Sequence, residues 1–236
     1  MQLHQILCSK NDEVSYGGKF KNVQNYISAT DEKGNSFTFF TPISPFETPM
    51  AIQALCDEYN KTIEKREVTP LILIPIFIHD FLCIHPFNDG NGRMSRLLTT
   101  LLLYRSGYYV GKYVSLELKI SKLKDLYYDA LYNSQIGWHD KKDDPTPFVS
   151  YLLSIISMSY DDFENRVEMV TKKLNAYDAV KKALDMKLGK VTKSDIAELC
   201  PLLSLSSIEK ILAKMVEEGK LEKGGSGKNS FYIIKL

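Results

Sequence analysis

The stretch from Val68 to Ile84 limits what this chain can fold into more than any other, because apolar residues fill nearly every position of it. A helix that is apolar all round has no face to offer water and belongs at the centre of a protein. Its longest apolar run, Leu71 to Ile78, is interrupted by Pro75 and stops at His79 and Asp80. A membrane-spanning helix needs about 20 such residues. The expectation is therefore a buried core helix in a soluble, cytoplasmic protein with no membrane contact. Met1 to Asn11 is polar and lacks the apolar centre of a signal peptide. Cys8, Cys56, Cys83 and Cys200 are far apart and form no C-x-x-C pair, so they read as reduced thiols.

Around that helix the pattern is mainly α. Gln2 to Leu7 reads as a short helix. Val23 to Ser28 and Ser36 to Phe40 are rich in β-formers on either side of Asp31 to Asn35, which predicts a β-hairpin. Apolar residues recur at helical spacing from Met50 to about Lys65, and a second apolar helix runs from Gly92 to Arg105 before the stop at Ser106-Gly107. Further helices fit Lys119 to Ser134 and Thr146 to Leu174. The last part changes character. Helices are expected over Asn175 to Lys187, Thr192 to Leu199 and a third opened by a capping box at Ser206 to Glu209, followed by a terminal hairpin. The fold class is then mainly α: a helical bundle with one hairpin over residues 1–174 (core about 50–135), followed by a small α+β winged-helix domain over 175–236.

Chemistry concentrates between the two apolar helices, in His85-Pro86-Phe87-Asn88-Asp89-Gly90-Asn91-Gly92-Arg93-Met94-Ser95-Arg96. Gly90 and Gly92 allow close backbone approach, and they precede a helix whose free N–H groups favour an anion. Arg93 and Arg96 are three apart and share a face of its first turn. Cations there oppose the helix dipole by about 0.3–1 kcal/mol each, a cost that a bound polyphosphate would offset through bidentate contacts. Asp89 offers the hard oxygen that Mg²⁺ takes alongside phosphates. His85 titrates near neutrality and can accept a proton from a hydroxyl. Phe87 reads as a buried anchor. Any one of these residues fits an ordinary polar loop; the set together does not.

This segment resembles the Fic motif H-P-F-x-[D/E]-G-N-G-R-x-x-R and meets it at every defined position. The resemblance implies a helical domain that transfers AMP from ATP to a hydroxyl side chain of a target protein or of itself. It implies His85 as the base and Asp89 as the Mg²⁺ ligand. Gly90, Asn91, Gly92 and Arg93 would cradle the phosphates, and Arg96 would hold the γ-phosphate. Leu3-His4 and Gly18-Lys19-Phe20 are similar to the opening of the family's domain, and the Val23 to Thr41 hairpin to its target-holding flap. Tyr127-Tyr128 is similar to a tyrosine pair near the adenine pocket. The Doc branch, which transfers phosphate, carries Ala and Lys where this chain has Gly90 and Gly92. A winged helix commonly accompanies bacterial Fic domains.

Many Fic proteins also carry an inhibitory segment [S/T]-x-x-x-E-[G/N], whose Glu occupies the second motif arginine. Only Glu164-Asn165 and Glu218-Gly219 end correctly, and Tyr160 and Lys214 stand four residues before them. Arg96 is therefore expected to be open to ATP, with inhibition supplied by a lost N-terminal helix or by an antitoxin-like partner. If any carboxylate reaches Arg96, Glu164 and Glu13 are the first to consider.

The second domain leaves two readings. From Asn175 onward there are 11 lysines against 8 acidic residues, which permits DNA binding through the third helix and wing. Glu209, Glu217 and Glu218 on that helix favour protein contact or a homodimer instead. The rival to an enzyme is thus a DNA-binding regulator whose Fic region only binds nucleotide. Removal of AMP from modified proteins is disfavoured, because it uses the missing Glu in related enzymes. His79 reads as a satisfied core histidine, His4 and His139 as surface or structural, and Trp138 as a packing residue.

Overall fold

In the computed structural model the described residues are 1–9, 17–30, 36–171, 175–187, 189–227 and 230–234. Helix α1 (Gln2–Cys8) precedes the antiparallel pair β1 (Ile27–Thr30) and β2 (Ser36–Phe40), whose register slips between Ile27 and Ser28. The expected hairpin is present, but its first strand begins at Ile27 rather than Val23. The preceding residues serve a loop instead: Gln24 Nε2 donates to the Pro42 carbonyl and Asn25 Nδ2 to that of Phe87. The turn predicted at Asp31 to Asn35 lies outside the described residues.

Helices α2 (Thr48–Lys65), α3 (Pro70–Ile84) and α4 (Asn91–Arg105) follow, with α3 packed between the other two. Thr69 is extended and Pro70 takes the first helical position, where its fixed φ suits the helix and its missing N–H costs nothing. The predicted burial of α3 is borne out, since Ile74, Ile78, Phe81, Leu82, Cys83 and Ile84 are all 5% exposed or less. No helix of the described residues is long and apolar enough to cross a membrane.

The single helix expected over Lys119 to Ser134 is two. α5 (Leu116–Lys122) is capped by Ser115, whose hydroxyl accepts from the Leu118 N–H, and α6 (Lys124–Gln135) starts after Leu123 at φ −111°, ψ 38°. An apolar residue in a non-helical conformation leaves no mark in a periodic pattern. A 3-10 turn, Trp138–Asp140, leads into α7 (Thr146–Thr171); residues 172–174 of the expected helix lie outside the described set.

Chain contacts group into two units, Met1–Ser159 and Tyr160–Leu236. The second contains α8 (Ala176–Asp185), α9 (Lys193–Leu199), α10 (Leu205–Glu217) and the antiparallel pair β3 (Leu221–Gly224) and β4 (Phe231–Ile234). Val191 bridges to Tyr232 and widens that pair. Val180, Val191, Ile196, Ile208 and Leu212 are fully buried in its core. The capping box is not at Ser206: it is at Thr192 and Asp195, which exchange side-chain and backbone hydrogen bonds at the start of α9. α10 is capped two residues earlier than expected by Ser204, whose hydroxyl accepts from the Ser207 N–H. Three serines, Ser204, Ser206 and Ser207, lie close together here, and sequence alone does not single out the one whose backbone is extended.

Candidate active site

The motif loop connects α3 to α4 and is built around unusual backbone. His85 ends α3 in the left-handed region at φ 51°, ψ 63°, a conformation that costs a residue with a Cβ and persists where the surroundings enforce it. Gly90 takes φ 81° just before α4. A Cβ there would sit 3.3 Å from the His4 Nε2, so both the turn and the close packing require glycine.

Asn91 locks the loop shut. Its Oδ1 accepts from the Phe87 N–H at 2.9 Å and its Nδ2 donates to the Phe87 carbonyl at 2.7 Å, with the side chain 2% exposed. Phe87 is the buried anchor expected, 3% exposed, and the ring of His4 stacks on it at 3.7 Å. The Gly18 N–H donates to His4 Nδ1, so the proton of that imidazole is on Nε2 and goes to the Asp89 carbonyl at 3.0 Å. His4 is thus structural, but fully buried rather than superficial.

Lys21 was not picked out by the motif. It is 3% exposed, donates through Nζ to the Ile84 carbonyl at 3.0 Å and through its backbone N–H to the Pro86 carbonyl at 2.8 Å. Burial pushes its ammonium down to about 8, partly countered by Glu47. No periodicity or local pattern marks a lysine that reaches a loop more than sixty residues away.

His85 Nδ1 lies 3.2 Å from the Leu82 carbonyl, which can only accept, so Nδ1 carries the proton and Nε2 presents its lone pair. Burial lowers the His85 pKa to about 4; the Leu82 bond opposes this, Lys21 adds to it and Asp89 opposes it. The ring is therefore neutral throughout the physiological range. It stands beside the start of α4, whose first N–H groups receive no side-chain cap.

The predicted phosphate residues gather at that helix end. Arg93 donates to Asp89 Oδ2 at 3.0 Å, both groups being well exposed. Gly92 is close to Arg96, its Cβ position lying 3.5 Å from a guanidinium nitrogen. Arg96 is not open. Its Nε donates to Glu117 Oε1 at 3.1 Å. The carboxylate is not one of the two expected from the sequence, of which Glu13 lies outside the described residues. Glu117 sits in the first turn of α5 with none of the residues of the inhibitory pattern around it, so the pattern does not mark it. A cavity of about 290 Å³ opens here, lined by Arg93, Arg96 and Glu117 on its polar side and by Leu7, Leu97 and Ile120 among its apolar walls.

The two tyrosines differ. Tyr127 packs edge-on against Phe148 and Tyr151 and bonds to Ser95, with burial pushing its phenol well above the usual range. Tyr128 is 47% exposed under the Lys124 ammonium. Asp89 offers an exposed carboxylate oxygen next to the uncapped start of α4, a donor that fits a Mg²⁺ completing its shell with phosphate and water.

Residues 1–103 match the model of the Fic/DOC family. A Fido domain-containing protein of Dictyostelium discoideum is 34% identical over 92 residues, covering 36% of this chain and 64% of the relative. The protein adenylyltransferase fic-1 of Caenorhabditis elegans is 26% identical over 152 residues, covering 64% of this chain and 25% of that protein. Among solved structures, a Fic family protein from Desulfovibrio desulfuricans superposes with a TM-score of 0.55 at 22% identity, covering 99% of this chain and 67% of that one. The chain thus spans about two thirds of the first relative's length and a quarter of the second's.

Proposed function

Since this chain carries a Fic/DOC-family domain in residues 1–103, we propose that it transfers AMP from ATP to a hydroxyl side chain of a target protein. The observation that carries the reading is His85: a neutral imidazole, proton fixed on Nδ1, lone pair on Nε2, held in a strained conformation at the mouth of an uncapped helix N-terminus.

The chemistry then follows from the residues. Nε2 of His85 takes the hydroxyl proton as that oxygen forms its bond to the α-phosphorus; the bond from the α-phosphorus to the bridging oxygen breaks and pyrophosphate leaves. The α4 N–H groups, Gly90 and Gly92 receive the phosphate oxygens, and Asn91 keeps the loop in shape for them. Arg93 and Arg96 grip the outer phosphates through planar forks of donors. Bound polyphosphate adds negative charge near His85 and raises its pKa from about 4 towards the operating pH, where a base works best. Asp89 would hold a Mg²⁺ ion, which supplies charge neutralisation for the phosphates. Tyr127 and Tyr128 belong to this reading as the residues that would lie beside the adenine.

The finer parts of the reading are that the protein works in the cytoplasm and that 175–236 is a winged helix. α10 carries Glu209 and Glu217 against Lys210 and Lys214, and Lys214 is paired with Glu218, which leaves that helix few groups for nucleic-acid phosphates and favours a protein partner or a second copy over DNA.

The test uses ATP labelled in the α- or the γ-phosphate. Label should reach protein from the α-position only, and His85→Ala should lower the rate by about 10²–10⁴ with ATP binding little changed. Transfer of γ-label, or an undiminished rate in the variant, would overturn the proposal.

A further inference from the structure

Six residues before His85, on the same helix, His79 is fully buried. The sequence led us to expect a satisfied core histidine. It is not satisfied: Nδ1 is buried with no hydrogen-bond partner among the described residues. A buried polar atom left in this state costs about 1–3 kcal/mol and calls for an explanation.

What Nδ1 faces is informative. Asp80 Oδ1 is 3.4 Å away and Asp143 Oδ2 4.0 Å away. The three ligand atoms all lie within 4.8 Å of one another. An N–H donor to a carboxylate sits at about 2.7–3.2 Å, so these separations are too long for an imidazole that simply donates to either aspartate. They are the separations of atoms around a shared centre. With bonds of about 2.0–2.2 Å, tetrahedral ligands stand about 3.3–3.6 Å apart. The His79–Asp80 distance meets this, and Asp143, on the loop before α7, has only a short way to move.

The surroundings match those of ligating groups. The Trp138 indole N–H donates to Asp80 Oδ1 at 2.9 Å, the kind of outer hydrogen bond that orients a metal-bound carboxylate. His79 Nε2 faces Cys83 Sγ at 3.6 Å, so a proton moved to Nε2 has an acceptor while Nδ1 is free to coordinate. Asp80 and Asp143 are 31% and 19% exposed, which gives an ion a path from solvent.

We propose that His79, Asp80 and Asp143 form a binding site for a divalent transition-metal cation of the Zn²⁺ class, separate from the Asp89 site. One nitrogen and two carboxylate oxygens suit Zn²⁺, with water in the remaining position, whereas Mg²⁺ prefers oxygen alone. The bound ion joins α3 to the segment 137–145. That segment also holds the flap's exit, because His139 Nε2 is 2.9 Å from the Thr41 carbonyl and its ring stacks on Phe40. The site thereby steadies the hairpin beside the motif without taking part in its chemistry. The inference does not depend on the proposed transferase activity.

The experiment is calorimetric titration of the chelator-treated full chain with Zn²⁺, without nucleotide, beside Asp143→Asn, Asp80→Asn and Asp89→Asn. One Zn²⁺ should bind per wild-type chain and raise its Tm. Both Asp143→Asn and Asp80→Asn should weaken binding by at least about tenfold, and Asp89→Asn should leave it unchanged. Cobalt substitution should give visible bands of a four- or five-coordinate site in the wild type that disappear in Asp143→Asn. Failure of the wild type to bind Zn²⁺, equal affinity in all four proteins, or loss only in Asp89→Asn would each overturn the proposal. So would a nitrogen spectrum showing His79 protonated, rather than coordinated, in the Zn²⁺-treated protein.

Discussion

The motif loop and the α8–α10 unit follow opposite rules. In the loop, backbone sits where isolated residues resist going, as at His85 with φ 51°, and a buried Asn, a buried Lys and a buried His are all spent on holding it. In the second unit the helices start at ordinary caps, Asn175, Thr192 and Ser204, and close over an aliphatic core. One region stores strain to shape a surface; the other relaxes to fill a volume. Substitutions should therefore cost function in the first and only stability in the second.

The sharpest break of this contrast would come from Asn91→Ala. It removes both hydrogen bonds to Phe87 and leaves the buried Phe87 N–H unpaired, while the Phe87 carbonyl keeps only the bond from Asn25. That should destabilise the first unit by about 2–5 kcal/mol and lower α-label transfer by at least about 10²-fold, since a misplaced loop loses its orientation. Thermal unfolding and transfer assays check the two effects; a variant with wild-type transfer would show that the loop needs no lock.

Acid should divide the regions next. His85 has a pKa of about 4 when folded and about 6.5 when unfolded. The unfolded chain therefore binds the extra proton first as pH falls, and the stability present above pH 6.5 is lost progressively down to about 4. His85→Gln should lack this component. The same shift places the acid limb of kcat/KM for the free protein near pH 4 rather than 6.5. A limb at 6.5 would mean that His85 is solvated before substrate binds.

The two regions also differed in how far they could be read ahead. Within the twelve residues from His85 to Arg96 the buried Phe87 anchor and the glycine turn into α4 were legible from local residue types, whereas the pairing of Arg96 with Glu117 was not. The residues that hold this loop were not. His4 reaches Asp89, Lys21 reaches Ile84 and Asn25 reaches Phe87, each from more than sixty positions away, and no period in the chain registers such a contact. In the second unit the elements were legible and their edges were not. Ser204 rather than Ser206 caps α10, since the choice depends on which backbone is extended.

A smaller effect should follow from Ser204→Ala. Losing the hydroxyl that accepts from the Ser207 N–H costs about 1 kcal/mol, the usual value for an N-cap. Transfer by the first unit should not change. A drop in transfer without a drop in Tm would mean that α10 contributes to catalysis through something other than folding.

The smallest effect on stability, and the most informative for its size, is expected from Glu117→Gln. The pair with Arg96 is exposed on the carboxylate side, 70% against 31%, and surface pairs of this kind contribute about 0–1 kcal/mol. Unfolding should shift by no more than that. Yet Glu117 uses the guanidinium that a γ-phosphate would use, and the two anions compete for one set of donors. Releasing Arg96 should lower the KM for ATP by a factor of about 2–5, a few tenths to one kcal/mol in binding, and the difference from wild type should shrink as salt screens the exposed pair. Arg96→Ala should instead raise KM, and the double variant should match Arg96→Ala, because Glu117 acts only through that arginine. If Glu117→Gln lowers KM equally in the Arg96→Ala background, the carboxylate acts on the nucleotide directly. The ion pair would then be a resting contact with no hold over ATP.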